Sequence, residues 1–180
     1  MKPDARKIPR STIRTERLLL RPTSSGDAGR AFEIQSDWDV TRMLNTSFPP
    51  SRREIEGWFS SHEGEWEART AYRFAIEHHE QMVGIVDVDE ILNGEGSLGY
   101  WLERSSWGKG LAFEAAQALI RFVFYEVGLS QLTSGHASDN PVSGLVLTKL
   151  GFTRVENKDV FLRSRSETVL KHCYALLRGG

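Results

Sequence analysis

The sequence predicts an α/β protein in which one mixed sheet carries helices packed on it. Side chains alternate at a two-residue period between Tyr72 and Glu103, then change to helical spacing after Gly110. The elements follow in the order strand, helices, three strands, helix, strand, helix, two strands, which is the alternation of an α/β class protein. A length of 180 residues suffices for one domain with a sizeable core.

Each element has its own local reason. Leu18–Pro22 is an apolar run with charge before it and proline at its end, a short first strand. Ser24, Ser25 and Asp27 are helix-start residues, and Ala28–Ile34 is the helix they open. Ser51 with Glu54 has capping-box spacing, and Ile55, Trp58, Phe59, His62 and Trp66 then share one helical face. Tyr72–His78 and Met82–Asp89 form a hairpin around His79-Glu80-Gln81, and Asn93-Gly94 with Gly96 marks the next turn. Ser97–Glu103 is a strand with Leu98, Tyr100 and Leu102 on one face and Gly99 and Trp101 on the other. From Gly110 to Tyr125 the positions Ala112, Ala115, Leu119, Phe122 and Val123 fit a helix that Gly128 ends. Leu132–Ala137 is a short strand. Asp139 or Asn140 caps a helix with Pro141 in its first turn, running through Val142, Leu145, Val146 and Leu150 to Gly151. Strands at Phe152–Phe161 and Thr168–Leu176 complete the chain.

Bulk properties exclude several classes. With 39% hydrophobic and 26% charged residues, the chain is expected to be folded and soluble. A net charge of −1 gives no global electrostatic reason for a nucleic-acid partner. One cysteine, Cys173, forms neither an intrachain disulfide nor a zinc-binding cluster, so no metal is expected and a cytoplasmic setting fits. No apolar run approaches the roughly 20 residues that span a bilayer, so no membrane partner is expected. Residues 1–12 read as a flexible lead-in and 13–180 as a single domain.

Gly108-Lys109-Gly110 lies between a strand and a long helix. Glycine admits close backbone approach, and a helix start presents unpaired N–H groups with the positive end of the dipole. Together these make an anion site, although the two glycines alone read first as a tight turn. The P-loop pattern is absent. So is the dinucleotide fingerprint, because Phe113 stands where its third glycine belongs.

Three ordered segments make the pattern more specific. These are Gly99-Tyr100-Trp101-Leu102 with Trp107-Gly108-Lys109-Gly110-Leu111-Ala112 and Glu114-Ala115, then Asp139-Asn140-Pro141-Val142-Ser143 closed by Lys149-Leu150-Gly151-Phe152, and the opening Thr15–Pro22. Over about residues 13 to 177 the chain resembles the GNAT acyltransferase superfamily, in its RimJ/RimL-like branch. The resemblance implies a mixed, mostly antiparallel twisted sheet with two splayed parallel central strands and helices on both faces. It implies acetyl-CoA as cosubstrate. The pantetheine arm would pair with the backbone of Tyr100, Trp101 and Leu102, and the pyrophosphate would sit on Trp107, Gly108, Lys109, Gly110, Leu111 and Ala112. Asn140 and Ser143 match positions lining the cofactor. Ser105 departs from the glutamine or arginine that often opens the superfamily's glycine pattern.

Transfer to an amine needs a neutral nucleophile, a stabilised oxyanion and a thiolate that can leave. One backbone donor to the oxyanion is worth roughly 3 kcal/mol in other enzymes, and Trp101 and Leu102 are the first donors to inspect. A free α-amine has a pKa of about 8, so about a tenth is neutral at pH 7, whereas a lysine is over roughly a hundredfold less available. His136, on one arm of the fork, is the candidate base, with packing as its alternative; Glu103 is a second. His62 is expected to pack, and His78 and His79 to be exposed. The tyrosine that many superfamily members use as acid falls at Leu147, so Ser143 is the candidate acid, or simply a hydroxyl that binds CoA. Glu54, Glu56, Glu63, Glu65 and Glu67 read as a solvated helix face or as an attraction for a cationic amine. Trp38, Phe48, Trp58 and Trp66 belong either to the acceptor pocket or to the core. The expected function is acetylation of a primary amine, first a protein N-terminal α-amine. A small-molecule amine and a catalytically weak acyl-CoA-binding module are the alternatives. Dimers are common in this branch, so a homodimer is a further partner arrangement.

Overall fold

The period-two stretch becomes the centre of an eight-stranded sheet in a computed structural model that describes residues 7–179. The strands are β1 (Ile13–Arg14), β2 (Leu19–Pro22), β3 (Tyr72–His78), β4 (Gln81–Leu92), β5 (Glu95–Leu102), β6 (Gln131–Ala137), β7 (Thr153–Leu162) and β8 (Glu167–Leu177). Their order is β1-β2-β3-β4-β5-β6-β8-β7. Every neighbouring pair is antiparallel except β5 and β6, which are parallel. The helices are α1 (Ala28–Gln35), α2 (Trp38–Thr41), α3 (Arg52–Ala68), α4 (Leu111–Phe122) and α5 (Pro141–Lys149).

Alternation sorts the strand side chains between two layers. Phe74, Val86, Val88, Leu98 and Leu102 pack with Leu111, Ala115 and Leu119 of α4. Ala75, Met82 and Ile85 turn the other way, against Ala28 and Ala31 of α1 and Ile55 and Phe59 of α3. Helices therefore cover both faces. The two hairpin turns carry positive φ at His79 and Glu80 and at Asn93 and Gly94, the conformation two-residue turns need to follow the strand twist.

Several expectations change in detail. The lead-in falls partly outside the described residues, at 1–6; beyond them, Ile8 accepts a bond from Trp66 Nε1 and Arg10 donates to the Thr23 carbonyl. Ser51 does cap α3, accepting from the Glu54 N–H. Glu54 does not complete the box, because its carboxylate meets Arg163 of the β7–β8 turn. Helix α4 widens after Phe122 into a π turn over Val123–Val127 that Gly128 ends. In α5, Val142 and Leu145 lie on the exposed side, and Gly144 and Leu147 are the buried positions. The reason is a close approach: a Cβ on Gly144 would stand 2.6 Å from His136 Nε2 and 3.2 Å from the Tyr174 hydroxyl. Nor does Asn140 cap α5 with its side chain.

Gly144→Ala is accordingly expected to lower stability by about 1–3 kcal/mol through overpacking. Urea unfolding checks this, and an unchanged midpoint would show that α5 does not rest on His136.

Candidate active site

Strands β5 and β6 pair only from Glu95–Gln131 to Ser97–Thr133 and then run on apart. The main chain of β5 divides by parity beyond that point. Glu103 donates to the Val83 carbonyl, and Trp101 and Gly99 pair with Ile85 and Asp87 two and four residues back. In an antiparallel ladder, residues two apart face the same neighbour. Trp101 thus turns its N–H and C=O to β4, while Tyr100 and Leu102 turn theirs to the open fork. Side chains satisfy part of this edge. Ser134 Oγ donates to the Leu98 carbonyl at 2.8 Å, and Trp107 Nε1 donates to the Leu102 carbonyl at 2.9 Å. Among the described residues the Tyr100 and Leu102 N–H groups have no partner, whereas that of Trp101 is turned to β4 and away from the fork.

The open edge leads to the glycine turn. Gly108 and Gly110 have φ of +72 and +74°, which L side chains resist. Gly110 is the N-cap of α4 and no side chain caps that helix, so its first N–H groups face outward. Leu111 contributes backbone only, because its side chain is buried at 1% exposure. Lys109 and Trp107 are exposed. Sequence reasoning missed what holds this loop. Arg17 Nη1 donates to the Lys109 carbonyl at 2.8 Å and Arg17 Nε to Glu114 Oε2 at 2.7 Å. Glu114 Oε1 also accepts from the Arg17 N–H and from Thr15 Oγ1. Burial pushes the Glu114 carboxyl up, but these bonds outweigh it and hold it below the ordinary glutamate range. The only sequence signal was charge next to the first strand; the partners lie 97 residues apart.

The other wall of the fork is α5. Asn140 Nδ2 donates to Ser143 Oγ at 3.1 Å, which leaves the serine hydrogen free to point elsewhere. The Tyr100 hydroxyl donates to the Ser143 carbonyl at 3.4 Å and ties the two walls together; burial pushes that phenol up to about 12. His136 is not placed as a base. It is 8% exposed under α5, Nδ1 donates to the Ala137 carbonyl at 2.8 Å, and Nε2 accepts from the Tyr174 hydroxyl at 3.2 Å. Its lone pair is already used. Glu103 is likewise taken, by Arg30.

The remaining candidates separate cleanly. Trp66 is core, Trp58 packs partly against the α1–α3 layer, and Trp38 and Phe48 form a tilted pair with centroids 4.8 Å apart and substantial exposure. His62 is buried with Nδ1 on Thr23, and desolvation lowers its pKa to about 4. Glu56, Glu63 and Glu67 are exposed, whereas Glu65 binds Arg73. Beside the end of β5, an open polar depression of about 570 Å³ is lined by Arg30, Glu33, Asp37, Glu103, Arg104 and Ser105. It borders the fork without lying in it.

Comparison with known proteins settles the class. Residues 17–153 match the family described as Acetyltransferase (GNAT) domain. The chain belongs to the GNAT acetyltransferase family. It is an acetyl-CoA-dependent N-acetyltransferase. The chain is 29% identical over 176 residues to the uncharacterized N-acetyltransferase p20 of Bacillus licheniformis, covering 93% of this chain and 96% of that protein. It is 24% identical over 163 residues to the ribosomal protein uS5-alanine N-acetyltransferase of Escherichia coli (strain K12), covering 82% and 80%. Its fold is similar to that of RimL, a ribosomal L7/L12 alpha-N-protein acetyltransferase in complex with coenzyme A, with TM-score 0.83, 19% identity and coverage of 93% and 98%. No helix among the described residues is long and apolar enough to cross a membrane.

The Arg17–Glu114 clasp yields a pH-dependent expectation. Glu114 has a depressed pKa in the folded chain, so its bonds stabilise above the unfolded-state value and are lost as pH falls through the folded one. Glu114→Gln is expected to cost about 1 kcal/mol near neutral pH, a modest figure because solvent reaches Arg17. The deficit should shrink below about pH 4. Chemical denaturation at both pH values tests this, and a deficit independent of pH would contradict it.

Proposed function

We propose that the chain acetylates protein N-terminal α-amines, holding acetyl-CoA in the fork between β5 and β6. One observation carries this reading: a stretch of strand whose Tyr100 and Leu102 N–H groups have no partner among the described residues leads directly to the start of α4, which no side chain caps. The residues present fit the cofactor. An extended pantetheine arm has amides that pair with a strand edge, and a pyrophosphate suits outward N–H groups on two positive-φ glycines. Acetyl-CoA supplies an activated acyl group on a thiol whose pKa is near that of cysteine, about 8.5.

In this assignment Tyr100 and Leu102 orient the arm, and Trp107 to Ala112 hold the phosphates, with Lys109 adding charge. Arg17 and Glu114 fix the loop from behind. Asn140 holds Ser143 Oγ as acceptor, so the serine O–H is directed at the cofactor, where it assists the departing sulfur. Leu147 is buried and apolar, so no acid comes from that position. His136 has no part in the chemistry.

For the acceptor, the relatives' names support a protein terminus, as does the solvent-open depression beside β5 with its carboxylates Glu33, Asp37 and Glu103. About a tenth of a terminal amine is neutral at pH 7, so modest proton removal suffices. The reading places the catalytic unit in residues 13–180 and its work in the cytoplasm.

Gly110→Asp is expected to abolish acetyl-CoA binding in a folded protein, through a side chain at positive φ and a carboxylate at the phosphate position; unaltered binding by calorimetry would remove the loop from the site. Ser143→Ala is expected to lower kcat or raise the acetyl-CoA KM by about tenfold, the loss of one hydrogen bond to a charged group. Thiol release with peptides beginning in serine or alanine, against a panel of amino acids and polyamines, reads the acceptor class. Faster turnover on the small amines would overturn the N-terminal assignment.

A further inference from the structure

Among the described residues, the candidate bases His136 and Glu103 are engaged, and His62 of α3 is buried. The layer under α1 and α3 holds another carboxylate. Asp87 on β4 is 8% exposed and lies directly across the ladder from Gly99 of β5. Its Oδ2 is paired with Arg73 of β3, which also binds Asp89 of β4 and Glu65 of α3 and lies 5.0 Å from the Trp58 ring. Its Oδ1 accepts no hydrogen bond from the described residues. That oxygen stands 2.8 Å from where a Cβ on Gly99 would be. Any other residue at 99 would fill this space, and the carboxylate leans over β5 where the strand parts from β6.

We propose that Asp87 Oδ1 is the proton acceptor for the incoming amine, brought close against β5 because Gly99 has no side chain. This rests on the acetyl-transfer reading of the fork. The amine nitrogen bonds to the acetyl carbon, the carbon–sulfur bond breaks with its electron pair going to sulfur, and the amine proton passes to Asp87. Arg73 is a positioning residue that fixes the carboxylate through Oδ2 and leaves Oδ1 for the amine. Burial pushes the Asp87 carboxyl up to about 7 against the pull of Arg73, with Asp89 and Glu65 adding to the rise. His62 on α3, its own pKa lowered by desolvation, stays neutral above about pH 4 and adds no competing charge. A carboxylate raised in this way is a stronger proton acceptor than a free aspartate.

Two measurements decide it. Carbon-13 NMR of the whole chain follows the Asp87 carboxyl without turnover. A midpoint of about 7 that moves on adding CoA is expected; a midpoint in the ordinary aspartate range, or one indifferent to CoA, overturns the proposal. Asp87→Asn is then compared on serine- and alanine-initiated peptides. Its kcat should fall by about 100-fold or more near neutral pH, with CoA affinity retained and the deficit shrinking as alkaline pH deprotonates the amine. A loss below about threefold, or an equal loss at every pH, sinks it. If the variant fails to fold, the NMR titration of the unmutated chain still decides. If the unmutated chain releases no thiol with any peptide or amine, the acetyl-transfer reading itself falls and this assignment with it.

Discussion

The parting of β5 from β6 is the constraint on which the rest of the structure depends. Two parallel strands that stop pairing leave polar main chain without partners, and buried main chain does not tolerate that. The chain answers with side chains at three points. Ser134 takes the Leu98 carbonyl at the base of the fork, the Trp107 indole takes the Leu102 carbonyl at its mouth, and the Tyr100 hydroxyl crosses to α5. What remains open is a short, directed row of donors. Packing keeps the walls apart: α5 rests on His136 and Tyr174 through the missing side chain of Gly144, and α4 sits in the core through Leu111, Ala115 and Leu119.

Electrostatics divides the two faces. On the α4–α5 side the cleft offers N–H groups, a helix start and a free lysine. On the α1–α3 side, Arg73 is surrounded by three carboxylates, Glu65, Asp87 and Asp89, in surroundings that include Trp58. Arg73 and Asp87 are the buried members of that cluster. The β7–β8 turn is tied to its neighbours: Arg163 meets Glu54 of α3, and Arg165 meets Asp139 and the Arg42 carbonyl.

Much of this was legible in the sequence, for local reasons. Period-two alternation and turn residues gave the central strands within two or three residues, and the change of period at Gly110 gave α4. The glycine turn was legible because positive φ at Gly108 and Gly110 is a backbone demand written in residue type. What escaped depends on distant partners. The buried face of α5 was not legible because glycine, one of the residues it buries, carries no hydrophobic signal. That His136 lies under α5 within hydrogen-bond distance of the Tyr174 hydroxyl is not visible in a sequence. The Arg17–Glu114 clasp joins residues 97 apart, and Asp87 and Asp89 alternate with Val86 and Val88 as any solvated strand face would until Arg73 and α3 cover them.

The most direct test of the fork is amide hydrogen exchange with and without acetyl-CoA. Tyr100 and Leu102 should gain protection together with Leu111 and Ala112, while Trp101, already paired to Ile85, should change little. Protection that falls on Trp101 and spares its two neighbours, or that appears away from the fork and the α4 start, would contradict the account.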